Sequence, residues 1–578
     1  MTNCKVLKII LMTAALFPVT WKHVFRVPVC LFLLAGLANC GQEQSAHQSG
    51  FPESGDSLKI TVMATADVHG RVRAWDYYRD REEVRYALSK VATLVDSVRS
   101  VHEHTLLLDA GDWLQGNPFA EFFAMHDPLN RHYPFLAVTD HLEFDAIVLG
   151  NHEFNFGLDY LNRQIGMTST PVIGANIYHH GTDEPAYPPY VIRDMAGIRV
   201  AVVGLTTPGS AVWDRPRVEG ILDFGDGLEA AHRFVQEVRE EHRADLVIIL
   251  AHSGLDGGTS YHREDLGDEN FGRAVGEQVP GVDLLVLGHT HRTIDDVVLE
   301  GAEGREVGVI QPGRWASHLG VAELKLVRNE DGSVRVAGIS TVNHSVENVR
   351  EHPDIVALTR EAHEDVVAFV TETMAETDDV WSAREARRTD TPIIDLIQTV
   401  QKKQTGAQLS AAAAFNTSVT FGPGAVTRGD IALLYPYYNT LYKLEVTGEQ
   451  IRSFLEHTSQ YYTSETDEHG RPVVNRGWPG FNFDMLAGVH YVLDLRNPPG
   501  ERVTKLTYEE EPVADDDRFT LAVNSYRAEG GGGFDMLQDA PVLMTIDRSV
   551  GDMILEFIQE KEVLQHDDVF EENWHLAY

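Results

Sequence analysis

Cysteine is scarce in this 578-residue chain, and basic residues are scarce relative to acidic ones. The only three cysteines stand at positions 4, 30 and 40. Everything after residue 40 therefore has no thiol with which to form a disulfide or a zinc-thiolate site. The 48 Lys and Arg are outnumbered by 87 Asp and Glu, which gives a formal net charge of -39. Because such a chain lacks a generally basic face, we expect no nucleic acid polymer among its partners.

Apolar runs long enough to cross a bilayer comfortably are also missing. Residues 6–21 and 27–38 are apolar and are separated by basic residues, but a span needs about 20 apolar residues. The second run and the Leu37-Ala38-Asn39-Cys40 segment after it resemble a bacterial lipoprotein signal with acylation at Cys40. We therefore predict a lipoprotein-type signal peptide over residues 1–40 and a polar tether over residues 41–57. Ordinary signal cleavage nearby is the alternative.

Export follows from that prediction. We expect the mature protein in the periplasm or at the cell surface, where it touches the membrane only through an N-terminal lipid anchor at Cys40.

The chain does contain a recurrent pattern, an apolar run followed closely by Asp, His or Asn. The five instances are residues 60–64 before Asp67 and His69, 106–108 before Asp109 and Asp112, 146–149 before Asn151, 246–251 before His252, and 284–287 before His289 and His291. Apolar residues at helical spacing over residues 84–98 separate the first two runs, so strands and helices alternate and parallel pairing is expected. Parallel strands bring their carboxyl ends to one edge of a sheet, where α/β folds bind ligands.

These side chains have the chemistry of a metal centre. Carboxylate, amide and imidazole ligands without thiolate suit Mn, Zn, Fe, Co or Ca better than a soft metal. Seven such residues at five strand ends can enclose two ions. The pattern therefore predicts a dinuclear hydrolase.

The order of the motifs carries a family resemblance. D-x-H, G-D, G-N-H-E, a lone His and G-H-x-H follow one another along the chain, and this order resembles the calcineurin-like metallophosphoesterases. The resemblance implies a four-layer αββα domain over residues 58–345, whereas periodicity alone indicates only an α/β domain. It also implies two divalent metal ions (Mn, Zn, Co or Fe) as cofactors.

We hypothesise two ligand sets with Asp112 shared between them. One ion would be held by Asp67, His69, Asp112 and His291, and the other by Asp112, Asn151, His252 and His289. Asp109 follows the same strand as Asp112, but the Gly-Asp context and the resemblance favour Asp112. Asp109 is then expected to be a structural capping group.

His152 follows a predicted ligand without being assigned as one. The resemblance makes it the catalytic residue, which protonates the departing ribose oxygen or binds a phosphoryl oxygen. The alternative is a residue that orients Asn151. Relatives pair this His with an Asp three residues later, where this chain has Asn155. Either Asn155 orients the imidazole without charge, or another acid such as Asp159 substitutes.

The second half of the chain predicts a separate α+β domain. Apolar residues on one helical face over residues 352–374 predict a linker helix within residues 346–377, and residues 378–578 form the second domain. The order of residues 435–441, 480–484 and 524–534 resembles the 5'-nucleotidase C-terminal domain. Tyr437 or Tyr438 and Tyr526 are predicted to clamp a base, with Asn439 reading its edge. The glycines at 530–533 allow close backbone approach to a ligand or a flexible turn.

The Ala-rich residues 409–415 narrow the resemblance further. 5'-Nucleotidases usually carry arginines there. Together with residues 76–80, 435–441 and 524–528, this segment makes the chain look most like periplasmic 2',3'-cyclic-nucleotide 2'-phosphodiesterase/3'-nucleotidases. We therefore expect a hydrolase that opens 2',3'-cyclic nucleotides and then removes the 3'-phosphate. A 5'-nucleotidase or nucleotide-sugar hydrolase with the same domains is the nearer alternative. A surface lipoprotein that binds nucleotides without turnover is the more distant one.

Overall fold

The computed structural model describes residues 57–261, 263 and 265–578, which belong to one compact unit. The predicted signal peptide, the acylation site Cys40 and the tether up to residue 56 lie outside the described residues. Within the described part, no helix has both the length and the apolar character needed to cross a bilayer.

Two six-stranded sheets form the N-terminal domain. In chain order their strands are β1 Ser57–Thr65, β2 Thr105–Asp109, β3 Ala146–Val148, β4 Val172–Ile173, β5 Tyr190–Met195, β6 Ile198–Thr206, β7 Leu246–His252, β8 Leu284–Leu287, β9 Thr293–Glu300, β10 Glu306–Pro312, β11 His318–Arg328 and β12 Val334–Ser345. The first sheet has the order β12-β11-β1-β2-β3-β4 and the second β9-β10-β8-β7-β6-β5. Strands β1 to β4 are parallel, as are β6, β7, β8 and β10.

Helices cover the outer face of each sheet. The helices of six or more residues in the described part of the whole chain, including α8 to α11 of the C-terminal domain, are α1 Leu88–Arg99, α2 Pro134–His141, α3 Leu158–Ile165, α4 Gly227–Glu240, α5 Gly272–Gln278, α6 Pro353–Leu358, α7 Arg360–Val370, α8 Pro392–Thr405, α9 Arg428–Leu434, α10 Gly448–Ser459 and α11 Val550–Lys561. One apolar core lies between the sheets, a second joins the first sheet to α1–α3, and a third joins the second sheet to α4 and α5. The predicted four-layer αββα fold is confirmed.

The sequence prediction of which strands share a sheet is partly wrong. The close spacing of the apolar runs 307–311, 321–327 and 334–339 in the sequence predicts antiparallel strands of a second sheet. Instead, β10 pairs in parallel with β8, whereas β11 and β12 extend the first sheet next to β1. Alternation of apolar residues indicates a strand and its buried face but carries no information about the partner strand.

The predicted linker helix is present but is divided in two and is shorter than expected. Thr359 interrupts it, since α6 ends at Leu358 and α7 begins at Arg360, and residues from Thr373 onward form a strand. Leu358, assigned to the buried face, is 47% exposed, and Met374 lies in the strand. The buried hydroxyl of Thr359 donates to the carbonyl of Ile355 at 2.7 Å, as helix-interrupting Thr side chains do.

A mixed five-stranded sheet organises the C-terminal domain. Its strands in chain order are β13 Leu409–Ala413, β14 Leu441–Thr447, β15 Asp484–Ala487, β16 Arg518–Asn524 and β17 Val542–Ile546, arranged β15-β13-β16-β14-β17. A four-stranded sheet of His490–Asp494, Val503–Tyr508, Glu511–Pro512 and Trp574–Ala577 lies in the same domain. Residues of both sheets and of α8, α10 and α11 share one apolar core. The α+β prediction for this domain is confirmed.

Candidate dinuclear metal centre

The five predicted strand ends converge on one point between the two sheets. Asp67 and His69 follow β1, Asp112 follows β2 and Asn151 follows β3 in the first sheet; His252 ends β7, and His289 and His291 follow β8 in the second. The two sheets are tied together here, because the backbone N–H of His289 donates to the Asp67 carboxylate at 3.1 Å.

Asp112 occupies the middle of the cluster. Its Oδ2 atom lies 3.1 Å from Nε2 of His252 and 3.9 Å from Nε2 of both His69 and His152. Asn151 reaches the same point, with its Oδ1 atom 3.2 Å from Nε2 of His252. A carboxylate surrounded in this way can bridge two cations through its two oxygens.

Asp67, His69 and His291 form the other half of the cluster. Nε2 of His291 lies 3.4 Å from Asp67 Oδ1 and 3.0 Å from Nε2 of His69. Ligand atoms of these three residues lie within 4.8 Å of one another, as do those of Asp67, Asp112 and His252. The structure thus brings together the residues of both hypothesised ligand sets.

The imidazoles of His69 and His252 are held through Nδ1, which leaves Nε2 directed to the centre of the cluster. His69 Nδ1 lies 2.5 Å from the Gln115 carbonyl, and His252 Nδ1 lies 2.7 Å from the Ala110 carbonyl. A carbonyl partner fixes the proton on Nδ1 and leaves the Nε2 lone pair free to bind a metal.

His289 follows the same rule with a carboxylate partner that the sequence did not reveal. Its Nε2 atom lies 2.9 Å from Glu269 Oε1, and its ring stacks against Trp213 at 5.7 Å. A carboxylate-histidine pair of this kind orients a ligating imidazole and raises its basicity. Glu269 lies in a loop and Trp213 ends the short helix Ser210–Trp213, and neither belongs to a strand-end motif, so no local pattern indicates them.

Burial of the carboxylates leaves negative charge that a cation would offset. Asp67 is fully buried and Asp112 is 2% exposed. Burial, together with repulsion from Asp112, raises the pKa of Asp67. Burial lowers the pKa of His69 to about 4, so that imidazole is neutral and able to bind a metal at pH 7. The donor set therefore fits two divalent ions without thiolate ligands.

Backbone strain is concentrated at the same residues. Positive φ angles are adopted by Asp67, His69, Asp112, His289 and His291, between 48° and 70°. Such conformations cost non-glycine residues about 1–3 kcal/mol each and persist at functional sites where the surroundings enforce them.

Glu153, the last residue of the G-N-H-E motif, holds the loops in place. Its buried carboxylate accepts the backbone N–H groups of Gly150, Asp112, Trp113 and Leu114 at 2.6–3.0 Å. Gly150 must be glycine, since an added Cβ would lie 2.3 Å from Asp112 Oδ1. Glu153 thereby couples the loop that carries Asp112 to the loop that carries Asn151.

Asp109 is separate from the centre, as the sequence analysis expected. Its Oδ2 atom accepts the Thr65 hydroxyl at 2.6 Å, and its Oδ1 atom accepts the Gly111 N–H at 3.0 Å. Burial raises the pKa of Asp109 to about 7. It caps the β2 loop with both oxygens already used.

His152 is oriented through Asn155 by an acid that the sequence analysis did not identify. His152 Nδ1 lies 2.7 Å from Asn155 Oδ1, and Asn155 Nδ2 donates to Asp214 Oδ1 at 2.8 Å. Asp214 is 3% exposed, and burial raises its pKa to about 6. Asp159, the acid suggested from sequence, lies exposed on α3 and is not hydrogen-bonded to His152 or Asn155 in the described structure. Asp214 is 59 residues from Asn155, which is why local spacing misses it.

Replacing Asp214 by Asn should lower kcat of the predicted hydrolase reaction about 10-fold near pH 8. The substitution removes a charge and a fixed acceptor, so the Asn155 amide and the His152 imidazole can reorient. The difference from wild type should shrink below about pH 6, where Asp214 is protonated and also neutral.

The Asp214→Asn substitution should lower kcat at pH 8 but should not lower thermal stability. A raised folded-state pKa favours the protonated acid, so wild type loses stability as pH rises through about 6, and the Asn variant should be at least as stable at pH 8. Kinetics and thermal unfolding at both pH values check this, with Asp159→Asn as the control expected to behave as wild type. Equal kcat for Asp214→Asn and wild type at pH 8 would rule out the orienting role.

The C-terminal domain completes a cavity of about 390 Å³ over the centre. The predicted substrate residues Tyr437, Tyr438, Asn439 and Tyr526 all line it, together with His152, Asn151 and His289. Phe481 also lines it and is 39% exposed, although the sequence analysis named no role for it.

The two adjacent tyrosines have different surroundings. Tyr437 is 39% exposed and packs edge-on against Phe415 at 5.0 Å, whereas Tyr438 packs against Phe156 of the N-terminal domain at 5.4 Å. Tyr438 therefore contributes to the contact between the domains. Tyr437 is the tyrosine of the pair that offers a free ring face.

The glycine run positions Tyr526. Gly530, Gly532 and Gly533 have positive φ, and a Cβ on Gly531 would lie 2.5 Å from the Tyr526 ring. The run is thus a tight turn that permits close packing of this ring.

Comparison with known proteins agrees with this architecture. Residues 60–293 match the calcineurin-like phosphoesterase family and residues 366–539 match the 5'-nucleotidase C-terminal domain. The chain is 28% identical to the 2',3'-cyclic-nucleotide 2'-phosphodiesterase/3'-nucleotidase of Salmonella typhimurium, over 82% of each chain. It is also 28% identical to the trifunctional nucleotide phosphoesterase protein YfkN of Bacillus subtilis over 92% of this chain, which spans 39% of that longer protein.

A solved structure of a Staphylococcus aureus protein has the same fold. It superposes with a TM-score of 0.76 at 24% identity and covers 90% of this chain and 100% of that chain. The fold and the site together define a phosphoric ester hydrolase of the metallophosphoesterase type. The chain belongs to the calcineurin-like metallophosphoesterases that carry a 5'-nucleotidase C-terminal domain.

Proposed function

We propose that the protein hydrolyses nucleotides outside the cytoplasm, opening 2',3'-cyclic nucleotides to 3'-nucleotides and then removing the 3'-phosphate. One observation carries the proposal: His152 and the predicted metal ligands Asn151 and His289 line the same cavity as Tyr437, Tyr526 and Asn439. The Salmonella typhimurium relative, whose name includes both activities and which is 28% identical to this chain, supports it. Export and acylation at Cys40 are part of the proposal and rest on the sequence alone.

The residues of the centre would hold two divalent ions, which supply Lewis-acid stabilisation of the phosphoryl oxygens and activation of water. Asp67, His69, Asp112 and His291 would hold one, and Asp112, Asn151, His252 and His289 the other. Burial of five of these ligands, Asp67, His69, Asp112, Asn151 and His252, limits the access of bulk water and strengthens electrostatic stabilisation of the transition state.

His152 would supply the proton that each step needs. In the first step a water adds to phosphorus and gives one proton to the solvent, the P–O2' bond breaks, and O2' takes a proton from Nε2 of His152, which then regains a proton from the solvent. In the second step a further water adds, the P–O3' bond breaks and O3' is protonated in the same way. The side chain of His152 is 27% exposed, which leaves its ring in reach of a substrate in the cavity. Because both leaving groups are ribose oxygens, one site serves both reactions.

The aromatic side chains would hold the base. Tyr437 and Tyr526 offer ring faces, at about 1–3 kcal/mol per stacked base, and Asn439 offers an amide for the base edge. The cavity volume of about 390 Å³ is that of a small-molecule site.

A 5'-nucleotidase is the second candidate, favoured by the match of residues 366–539 to the C-terminal domain of that name. Turnover of 2',3'-cyclic AMP, 3'-AMP and 5'-AMP by the purified protein with added Mn separates the two. We expect kcat/KM for the first two substrates to exceed that for 5'-AMP by about 10-fold or more. Dominant 5'-AMP hydrolysis would select the second candidate, and binding without any turnover would select a nucleotide-capture protein.

Replacing Tyr526 by Ala should raise KM for 3'-AMP about 5- to 100-fold, the equivalent of one lost stacking contact. Hydrolysis of p-nitrophenyl phosphate, which has no base, should change little in the same variant. Tyr508→Ala in the four-stranded sheet is the matched control, because Tyr508 does not line the cavity. An unchanged KM for 3'-AMP would remove Tyr526 from base recognition.

A further inference from the structure

A second cavity of about 350 Å³ reaches the metal centre on its His69 and His291 side. It shares His152, Gln115 and Tyr437 with the cavity assigned to the base, so these residues lie at the boundary between the two. An occupant of the second cavity would therefore reach the scissile phosphate from the side of His69 and His291.

Four arginines line this second cavity, and three of them have partners. Arg79 donates to Asp76 at 3.1 Å and Arg85 donates to Glu83 at 2.7 Å. Nη1 of Arg314 lies 3.0 Å from Nδ1 of His291. The two acids of the cavity wall are thus already paired with arginines.

Arg71 is the exception. It is only 7% exposed, and its buried Nε atom has no hydrogen-bond partner. Among the described residues, no hydrogen bond or carboxylate within 4.0 Å is found for any atom of its guanidinium. A guanidinium carries five N–H donors, and leaving them unsatisfied in a buried place is costly.

Three aromatic rings hold the Arg71 guanidinium in position. It lies 5.6 Å from the Tyr78 ring, 5.8 Å from the Tyr86 ring and 5.3 Å from the Trp315 ring. Cation-π contacts stabilise a buried guanidinium, but they do not replace hydrogen-bond acceptors for its N–H groups. The Tyr86 and Trp315 rings also pack against each other at 5.1 Å, so they are not open to sandwich a base.

This arrangement suits an oxyanion. A planar, preorganised guanidinium with free N–H groups binds phosphate or carboxylate oxygens through two parallel hydrogen bonds. Because Arg71 follows His69 by two residues and lines the same cavity, an anion bound to it would lie beside the metal centre.

We propose that Arg71, in the cage of Tyr78, Tyr86 and Trp315, binds a phosphate group beside the position at which hydrolysis takes place. That phosphate is either a second phosphate of the substrate or the inorganic phosphate released by hydrolysis. Only the first of these sources, a nucleotide substrate with a second phosphate, rests on the proposed function.

Two kinetic measurements separate these sources. The first compares kcat/KM for adenosine 3'-monophosphate and adenosine 3',5'-bisphosphate. The second measures the inhibition constant of inorganic phosphate against hydrolysis of p-nitrophenyl phosphate. Both use the metal-loaded protein and the variants Arg71→Met and Arg71→Lys. Arg85→Met is the matched control, because its side chain lines the same cavity but is 59% exposed and paired with Glu83.

A substrate-borne phosphate predicts that wild type prefers the bisphosphate by about 10-fold and that Arg71→Met loses this preference while keeping its rate with the monophosphate. A product phosphate predicts an inhibition constant about 10-fold higher in Arg71→Met, with no change in the bisphosphate preference. Arg71→Lys, which keeps the charge without the planar fork, should lie between wild type and Arg71→Met in either case.

Unchanged preference and inhibition in a folded Arg71→Met protein would overturn the proposal and leave Arg71 a packing residue. If Arg71→Met does not fold, the same two measurements on Arg71→Lys test the proposal. A bisphosphate preference and an inhibition constant equal to those of wild type would then overturn it. Absence of nucleotide turnover with retained p-nitrophenyl phosphate hydrolysis would reject the proposed function while the inhibition measurement still tests Arg71.

Discussion

Replacing Asp112 by Asn should lower kcat/KM for phosphoester hydrolysis by about 10³-fold or more. Its carboxylate lies 3.1 Å from His252 and 3.9 Å from His69, between the two ligand sets. Asn retains one oxygen, so the backbone N–H of His152, which donates to Asp112 Oδ1 at 2.9 Å, keeps an acceptor. What is lost is the negative charge and the second oxygen, which are the properties that a bridging ligand needs.

Metal analysis should show the same loss directly. We expect the Asp112→Asn protein to retain fewer equivalents of divalent metal than wild type after gel filtration, because a bridging ligand contributes to both ions. Thermal unfolding in the presence of a chelator checks that the Asp112→Asn protein is folded.

Asp109→Asn is a demanding control for this prediction. Asp109 follows the same strand, is equally buried and has its pKa raised to about 7 by that burial. A neutral Asn therefore resembles the form that Asp109 already populates at neutral pH, and metal content and activity should stay within about 10-fold of wild type. If Asp109→Asn lost metal and Asp112→Asn did not, the two aspartates would have to exchange roles.

The strand-end residues could be predicted because each depends on local sequence. An apolar run indicates a buried strand, and the polar residue after it lies at the carboxyl edge whichever strand becomes its neighbour. The prediction for Asp67, Asp112 and His252 therefore survives the error in assigning β10, β11 and β12 to one sheet. Sheet membership depends on contacts between distant parts of the chain, and those leave no periodic pattern.

The residues that support the centre could not be predicted for the same reason. Glu269 precedes its partner His289 by 20 residues, and Asp214 follows Asn155 by 59. Arg71 is conspicuous only because its neighbours are aromatic and because the nearby acids Asp76 and Glu83 are paired elsewhere. Each of these features is a property of three-dimensional neighbours, which a single sequence does not give.

Replacing His152 by Gln should lower kcat for 3'-AMP about 10²- to 10⁴-fold without loss of metal, as expected for removal of a general acid. The geometry makes this a real test, because ligand atoms of His152, His69 and Asp112 lie within 4.8 Å of one another. The same geometry would also suit a His152 that binds a metal ion together with His69 and Asp112. A ligand would take metal away when replaced, whereas a general acid would not.

The leaving group distinguishes proton donation from simple positioning. The p-nitrophenolate ion leaves readily without a proton, so hydrolysis of p-nitrophenyl phosphate should fall much less in His152→Gln than hydrolysis of 3'-AMP. A residue that only orients Asn151 or binds a phosphoryl oxygen would slow both substrates alike. His180→Gln is the control, since His180 is 57% exposed and pairs with Asp223 away from the centre. Equal losses for the two substrates would assign His152 to transition-state binding, and loss of metal would make it a ligand.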